Sequence, residues 1–116
     1  MRELEIGTKE YTKVEVLDER GQGNANHHYI VNAVDGGAIL GDVSFQNGPI
    51  KEAGVNGIHN EDLIAIVIDR LEGFQSGDYA CDANQHALAH MKNGLTALRN
   101  RTNEREARGV EGTHKK

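Results

Sequence analysis

The chain has little of what builds a large core or a covalent cross-link. Its 116 residues include three Tyr, two Phe and no Trp, and only one Pro and one Cys. With so few aromatics the core must be aliphatic and lean, and assembly of several copies is one way to bury more apolar surface. The lone Cys81 excludes an intramolecular disulfide. Beside Ala80 at the head of a helix, it reads as a small buried or half-buried side chain. No apolar run approaches the length of a membrane span, and no signal-peptide pattern opens the sequence. The expectation is a soluble cytosolic protein with no membrane partner. A net charge of −5 argues against a DNA- or RNA-binding protein. No Gly-x-Ser-x-Gly, Cys–His pairing or phosphate-loop lysine motif is present, so no catalytic residues are assigned and the chain does not read as an enzyme.

What is there is unevenly spread. Residues 1–98 carry 7 basic and 15 acidic side chains, whereas residues 99–116 carry 6 basic and 3 acidic ones. A small cationic tip on an acidic body suits a compact anion better than a long polyanion.

The order of elements suggests an α+β fold. Residues 1–46 read as short antiparallel strands: Leu4 and Ile6 alternate with acids, and Val14 and Val16 with Lys13 and Glu15. Residues 28–34 form a stronger strand, Asp35-Gly36-Gly37 a hairpin turn, and residues 38–45 a returning strand. Residues 47–59, with Pro49 and two Asn-Gly pairs, have no period and read as a loop. Residues 60–116 read as a helical hairpin, completing one compact domain. Asn60 is placed as the N-cap of its first helix, with Leu63, Ile64, Val67, Ile68 and Leu71 as the buried stripe and Gly73 as the stop. The second helix is expected to start near Ser76 or Asp78, run about 30 residues, and stop at Gly109, with Val110 just beyond. Being longer, it overhangs the first. Its last turns then need a partner, either the N-terminal sheet or another chain.

That second helix organises the functional reading. Ala80, Asn84, Ala87, Met91, Leu95 and Leu98 recur at steps of three or four, the period of one buried stripe. Arg101, Arg105 and Arg108 are expected to continue it, and guanidinium forks bind phosphate oxygens in pairs. The bland alternative is a solvated helix end in which arginine pairs with Glu104 or Glu106. Asn84 is an amide on an apolar stripe: either a satisfied core residue or a hydrogen-bonding group for a base or ribose edge. Phe74, at the hairpin turn, is either a plug over the hairpin core or a face on which a purine stacks. His86 and His90 are four apart with Asp82 one turn earlier, but no third ligand accompanies them. They read as solvent-facing, and neither a metal nor a cofactor is expected.

A set of short segments carries a resemblance. They are Phe45-Gln46-Asn47-Gly48-Pro49, Asn56-Gly57, Phe74-Gln75-Ser76-Gly77, Ala80-Cys81 with Asn84, Arg101-Thr102, Arg105, and the closing run Ala107-Arg108-Gly109-Val110-Glu111-Gly112-Thr113. On these the chain resembles the phage-encoded Thoeris anti-defence family of signal sponges, first-described type, and the resemblance covers about residues 27–114. That family shares its helical hairpin with the anti-CBASS cyclic-nucleotide sponges. The resemblance implies a protein of the infected bacterial cytoplasm that binds immune signalling nucleotides, chiefly glycocyclic ADP-ribose made by TIR proteins, without cleaving them. It implies a homo-oligomer, dimer or hexamer, with pockets between chains. Some hexameric members hold cyclic di- or trinucleotides at separate sites, which adds a second class of small-molecule partner. The family's ligand contacts fall on Phe74, Asn84 and Arg101, with Arg105 and Arg108 beside them. Two readings compete: a helical interaction module acting on a host protein, and a hydrolase that degrades the same signal.

Overall fold

The computed structural model describes residues 2–7 and 9–116, and the chain divides into two compact units, Met1–Ile58 and His59–Lys116. The architecture is α+β: antiparallel strands first, helices after.

In the first unit, β1 (Arg2–Glu3), β2 (Thr12–Val16), β3 (His28–Ala33) and β4 (Ile39–Ser44) form an antiparallel meander in the order of the chain. Val16 lies opposite Tyr29, and Val14 opposite Val31. Paired residues share a face, so the alternating valines line one side of the sheet. Ile30 and Asn32 are buried on the other side, where the Asn32 amide donates to Glu15. The first strand is shorter than the alternation of Leu4 and Ile6 suggests. Leu4 still donates its N–H to Val14 O at 2.9 Å, but the chain then turns with Gly7 at φ 102°, and Ile6 is left exposed. Lys9 closes that turn, 3.0 Å from Glu3 and 3.1 Å from Glu5. The hairpin turn before β4 has Gly36 and Gly37 both at positive φ, as the sequence suggests.

The segment after β4 is not structureless. Pro49 is the N-cap of a short helix, α1 (Ile50–Ala53), and its carbonyl accepts the N–H groups of Glu52 and Ala53. Gln46 donates to Gly48 O and Gly54 O, and its own carbonyl oxygen accepts Asn56 N–H. Asn56 and Asn47 bond reciprocally through side chain and backbone. These amides tie off the loop where Ile58 returns beside Phe45. Only glycine fits at position 57: a Cβ there would lie 2.3 Å from the Phe45 carbonyl carbon.

The second unit is an αα-hairpin of α2 (Asn60–Gln75) and α3 (Asp82–Ala107). The N-cap of α2 is His59 rather than Asn60, and the Asp62 carboxylate accepts the His59 N–H at 2.9 Å. Ile68 is buried, with Leu63, Ile64, Leu71 and Gln75 half-buried around it, whereas Val67 faces out. Gly73 does not stop the helix, since an interior glycine costs only about 1 kcal/mol. Ser76 does not start the next one. Its hydroxyl turns back to donate to Gly73 O at 2.7 Å, finishing α2, and the N-cap of α3 is Cys81. Cys81 is exposed, contrary to the buried or half-buried side chain expected from its small size.

Ala80, expected on the buried stripe, is exposed and precedes the helix, and Ala87 is half-buried beside the seam; along α3 the covered positions run Asn84, Leu88, Met91, Leu95, Leu98, Thr102 and Arg105. These steps of four and three are a heptad seam, the spacing that keeps one face on an antiparallel neighbour. Lys92 and Glu72 pair across the two helices at 3.6 Å. The helix ends in a Schellman motif. Gly109, at φ 73°, gives its N–H to Glu106 O, and Val110 gives its N–H to Arg105 O.

Candidate functional site

The residues singled out by sequence fall at opposite ends of the hairpin. At the bend are Phe74 and Asn84. Toward the far end of α3 are Arg101, Arg105 and Arg108. From Asp82 to Arg101 the helix rises about 28 Å at about 1.5 Å per residue.

The bend is fixed by one amide. Gln75 Oε1 accepts the Cys81 N–H at 2.9 Å, and Gln75 Nε2 donates to Cys81 O at 3.1 Å. This holds the first turn of α3 against the last turn of α2. Phe74 stands just before the clamp with 37% of its surface exposed. Tyr79 meets it edge-on, ring centroids 6.4 Å apart at 84°. The Arg70 guanidinium lies over the ring, its Cζ 5.0 Å from the centroid. Asn84 is half-buried on the seam, and among the described residues its amide makes no hydrogen bond. The bend therefore presents a flat ring, a cation and an amide with unused donors and an unused acceptor.

Arg101, Arg105 and Arg108 do not share one environment. Arg105 alone continues the buried stripe, with 6% of its surface exposed. Its Nη1 donates to Lys115 O at 2.6 Å, its Nη2 to Val110 O at 3.0 Å and Thr113 O at 3.3 Å, and its Nε lies 3.6 Å from Glu111. The overhanging turn is thus met by the chain's own tail, a partner not weighed from the sequence. Arg101 and Arg108 lie outside the seam because a heptad step from Leu98 lands on Thr102. Arg108 is exposed and ion-paired with Glu104 one turn back, the arrangement of a solvated helix end. Arg101 is exposed and, among the described residues, makes no hydrogen bond or ion pair.

Three contributors were not singled out from sequence. The Arg70–Phe74 spacing of four is visible in the chain, but nothing local marks it as more than a helix-surface pair. Tyr79 and Gln75 act across the bend, and no short-range pattern reports such contacts. His86 and His90 are exposed on α3, and among the described residues no group of three or more His, Cys, Asp or Glu is placed to hold a metal. No helix among the described residues is long and apolar enough to cross a membrane.

Comparison with known proteins meets this geometry at the hairpin. Residues 38–102 match the family model described as Acb2/Tad1, hairpin domain. The chain is similar to a protein named Thoeris anti-defense 1 from Bacillus phage SBSphiJ7, with 46% identity over 94 residues. That match covers 81% of this chain and 66% of the relative, so the chain spans about two thirds of the relative's length. The matched residues take in β4, α1, α2, the bend with Phe74 and Asn84, and α3 as far as Thr102. The chain belongs to the Acb2/Tad1 hairpin-domain family, the family of the phage Thoeris anti-defence sponges that its sequence resembles.

Proposed function

We propose that this chain is a phage anti-defence protein that binds an immune signalling nucleotide of the glycocyclic ADP-ribose class and sequesters it without cleavage in the cytoplasm of the infected bacterium. Phe74 stacks the adenine, typically about 1–3 kcal/mol per base. Asn84 addresses a base or ribose edge with its unused amide. Arg101 takes the pyrophosphate, with Arg108 available once it leaves Glu104. Arg105 acts on the ligand through the tail it holds, because its donors are already turned to Val110, Thr113 and Lys115.

The observation that carries this reading is the separation of the two ends. A ring at the bend and a guanidinium at Arg101, toward the far end of a helix that rises about 28 Å from Asp82 to Arg101, cannot both reach one nucleotide-sized ligand. They do so when two hairpins pack antiparallel and bring one copy's bend to the other copy's tip. Ile66 and Val67, exposed by 63% and 43%, give α2 an outer apolar face suited to such packing. The oligomer is therefore a dimer, or a hexamer built from such pairs. In the hexamer, cyclic di- and trinucleotides have separate sites.

The same apolar face also favours a second reading, a helical module that docks on a host protein. The protein is incubated with a glycocyclic ADP-ribose, denatured, and the small molecule recovered. Intact nucleotide in stoichiometric amount supports sequestration, a converted product supports a hydrolase, and no uptake favours the interaction module.

A further inference from the structure

Arg70 precedes Phe74 by one helical turn on α2 and lies over one face of its ring, Cζ 5.0 Å from the centroid. Tyr79 lies against the same ring in a T-shaped contact. Among the described residues the Arg70 guanidinium has no hydrogen bond and no ion pair, although Asp69 and Glu72 lie within two positions of it. Glu72 pairs with Lys92 instead. A cation–π contact uses the charge of a guanidinium and none of its N–H donors, which stay available to an oxygen acceptor. The bend thus holds a cation with its donors unspent, beside a ring whose other face Arg70 does not cover.

A nucleotide presents a flat base and, one sugar away, a phosphate. Stacked on the face of Phe74 that Arg70 does not cover, its phosphate needs a cation at the ring's margin, and Arg101 of the same chain lies toward the far end of α3, a rise of about 28 Å from Asp82. We infer that Arg70 is a ligand-binding residue of the bend: it closes one face of Phe74, directs the base to the other, and gives its in-plane donors to a phosphate oxygen of the same nucleotide. This rests on the reading of the bend as a nucleotide site. It adds a cation supplied by the chain that supplies the ring, so each half of a shared pocket carries its own anion contact.

The test is calorimetric titration of the full chain with a glycocyclic ADP-ribose at two salt concentrations, for the native protein, Phe74→Ala, Arg70→Ala and Arg70→Lys. Circular dichroism checks that helix content is kept. Arg70→Ala is expected to weaken binding at least tenfold and to make it less sensitive to salt. Arg70→Lys is expected to recover only part, since it keeps the charge and loses the planar fork. Native-like binding by Arg70→Ala, with Phe74→Ala impaired, overturns the inference and leaves the nucleotide site standing. Weaker binding with unchanged salt sensitivity overturns the phosphate contact, because Arg70 then only holds the ring. No binding by the native protein overturns the nucleotide site, and the role of Arg70 with it.

Discussion

Arg105 and Val110 are joined twice. Arg105 Nη2 donates to Val110 O at 3.0 Å, and Val110 returns its N–H to Arg105 O at 3.0 Å. One bond closes the helix and the other folds the tail onto it, so the last turn of α3 and the segment after Gly109 form one structure. Truncation at Arg105 leaves the carbonyls of Val110, Thr113 and Lys115 without this donor and Glu111 without its cation. Arg105→Ala is expected to cost about 2–3 kcal/mol, as for hydrogen bonds to a buried charge. Urea unfolding measures this, and a loss below about 0.5 kcal/mol, the range of ordinary surface substitutions, contradicts the brace.

The loop before β3 hangs on Asp18, whose carboxylate accepts the N–H groups of His27 at 2.9 Å and His28 at 3.2 Å. Desolvation pushes this carboxyl up, but the N–H groups of His27, His28 and Asp18 itself, with the His27 charge, together outweigh it and hold it below its ordinary value. The unfolded chain therefore binds the proton more readily than the folded one. The resulting stability is fully present above the ordinary aspartate value, about 3.9, and is lost as pH falls through the lowered folded value. Asp18→Asn is expected to flatten the acid limb of a melting-temperature profile below about pH 4 and to lower stability at neutral pH. An acid limb unchanged by the substitution contradicts this role.

Two glycine substitutions should move stability in opposite directions. Gly57→Ala drives a Cβ into the Phe45 backbone, which cannot swing away as a side chain would, and is expected to destabilise by about 1–3 kcal/mol. Gly94→Ala, inside α3 with nothing within 4 Å of the new Cβ, is expected to stabilise by up to about 1 kcal/mol. Denaturant midpoints of the two variants on the same side of the native value contradict one of these environments.

Much of the fold was legible because its signals are local. The valine alternation of β2, the glycine pair before β4 and the Gly109-Val110 stop each need only neighbouring residues to act. The start of α3 was not, because Ser76 and Gln75 spend their side chains backward and across the bend, on Gly73 and Cys81. The arginines show the same limit. Spacings of four and three put Arg101, Arg105 and Arg108 on one face in sequence, but the seam passes through Thr102 and takes only Arg105. Which phase of a helix is covered depends on its neighbour. Phe74 was legible at the bend, whereas Tyr79 and the orientation of Arg70 are tertiary facts.

Arg101 is left without a partner among the described residues, and Arg101→Ala is expected to lose at least tenfold in affinity for a glycocyclic ADP-ribose while leaving the unfolding midpoint within experimental scatter. A stability loss like that of Arg105→Ala, with affinity kept, reverses the roles given to the two residues.

The central claim is that one ligand is held by the bend of one copy and the tip of another. Phe74→Ala and Arg101→Ala are each expected to abolish high-affinity binding alone. Mixed in equal amounts and allowed to exchange subunits, they form two-fold pairs in which one pocket has both native residues and the other neither. Calorimetry of the mixture should then recover native affinity at about a quarter of the sites, the statistical share for random pairing. A mixture that binds no better than either variant alone contradicts the shared pocket.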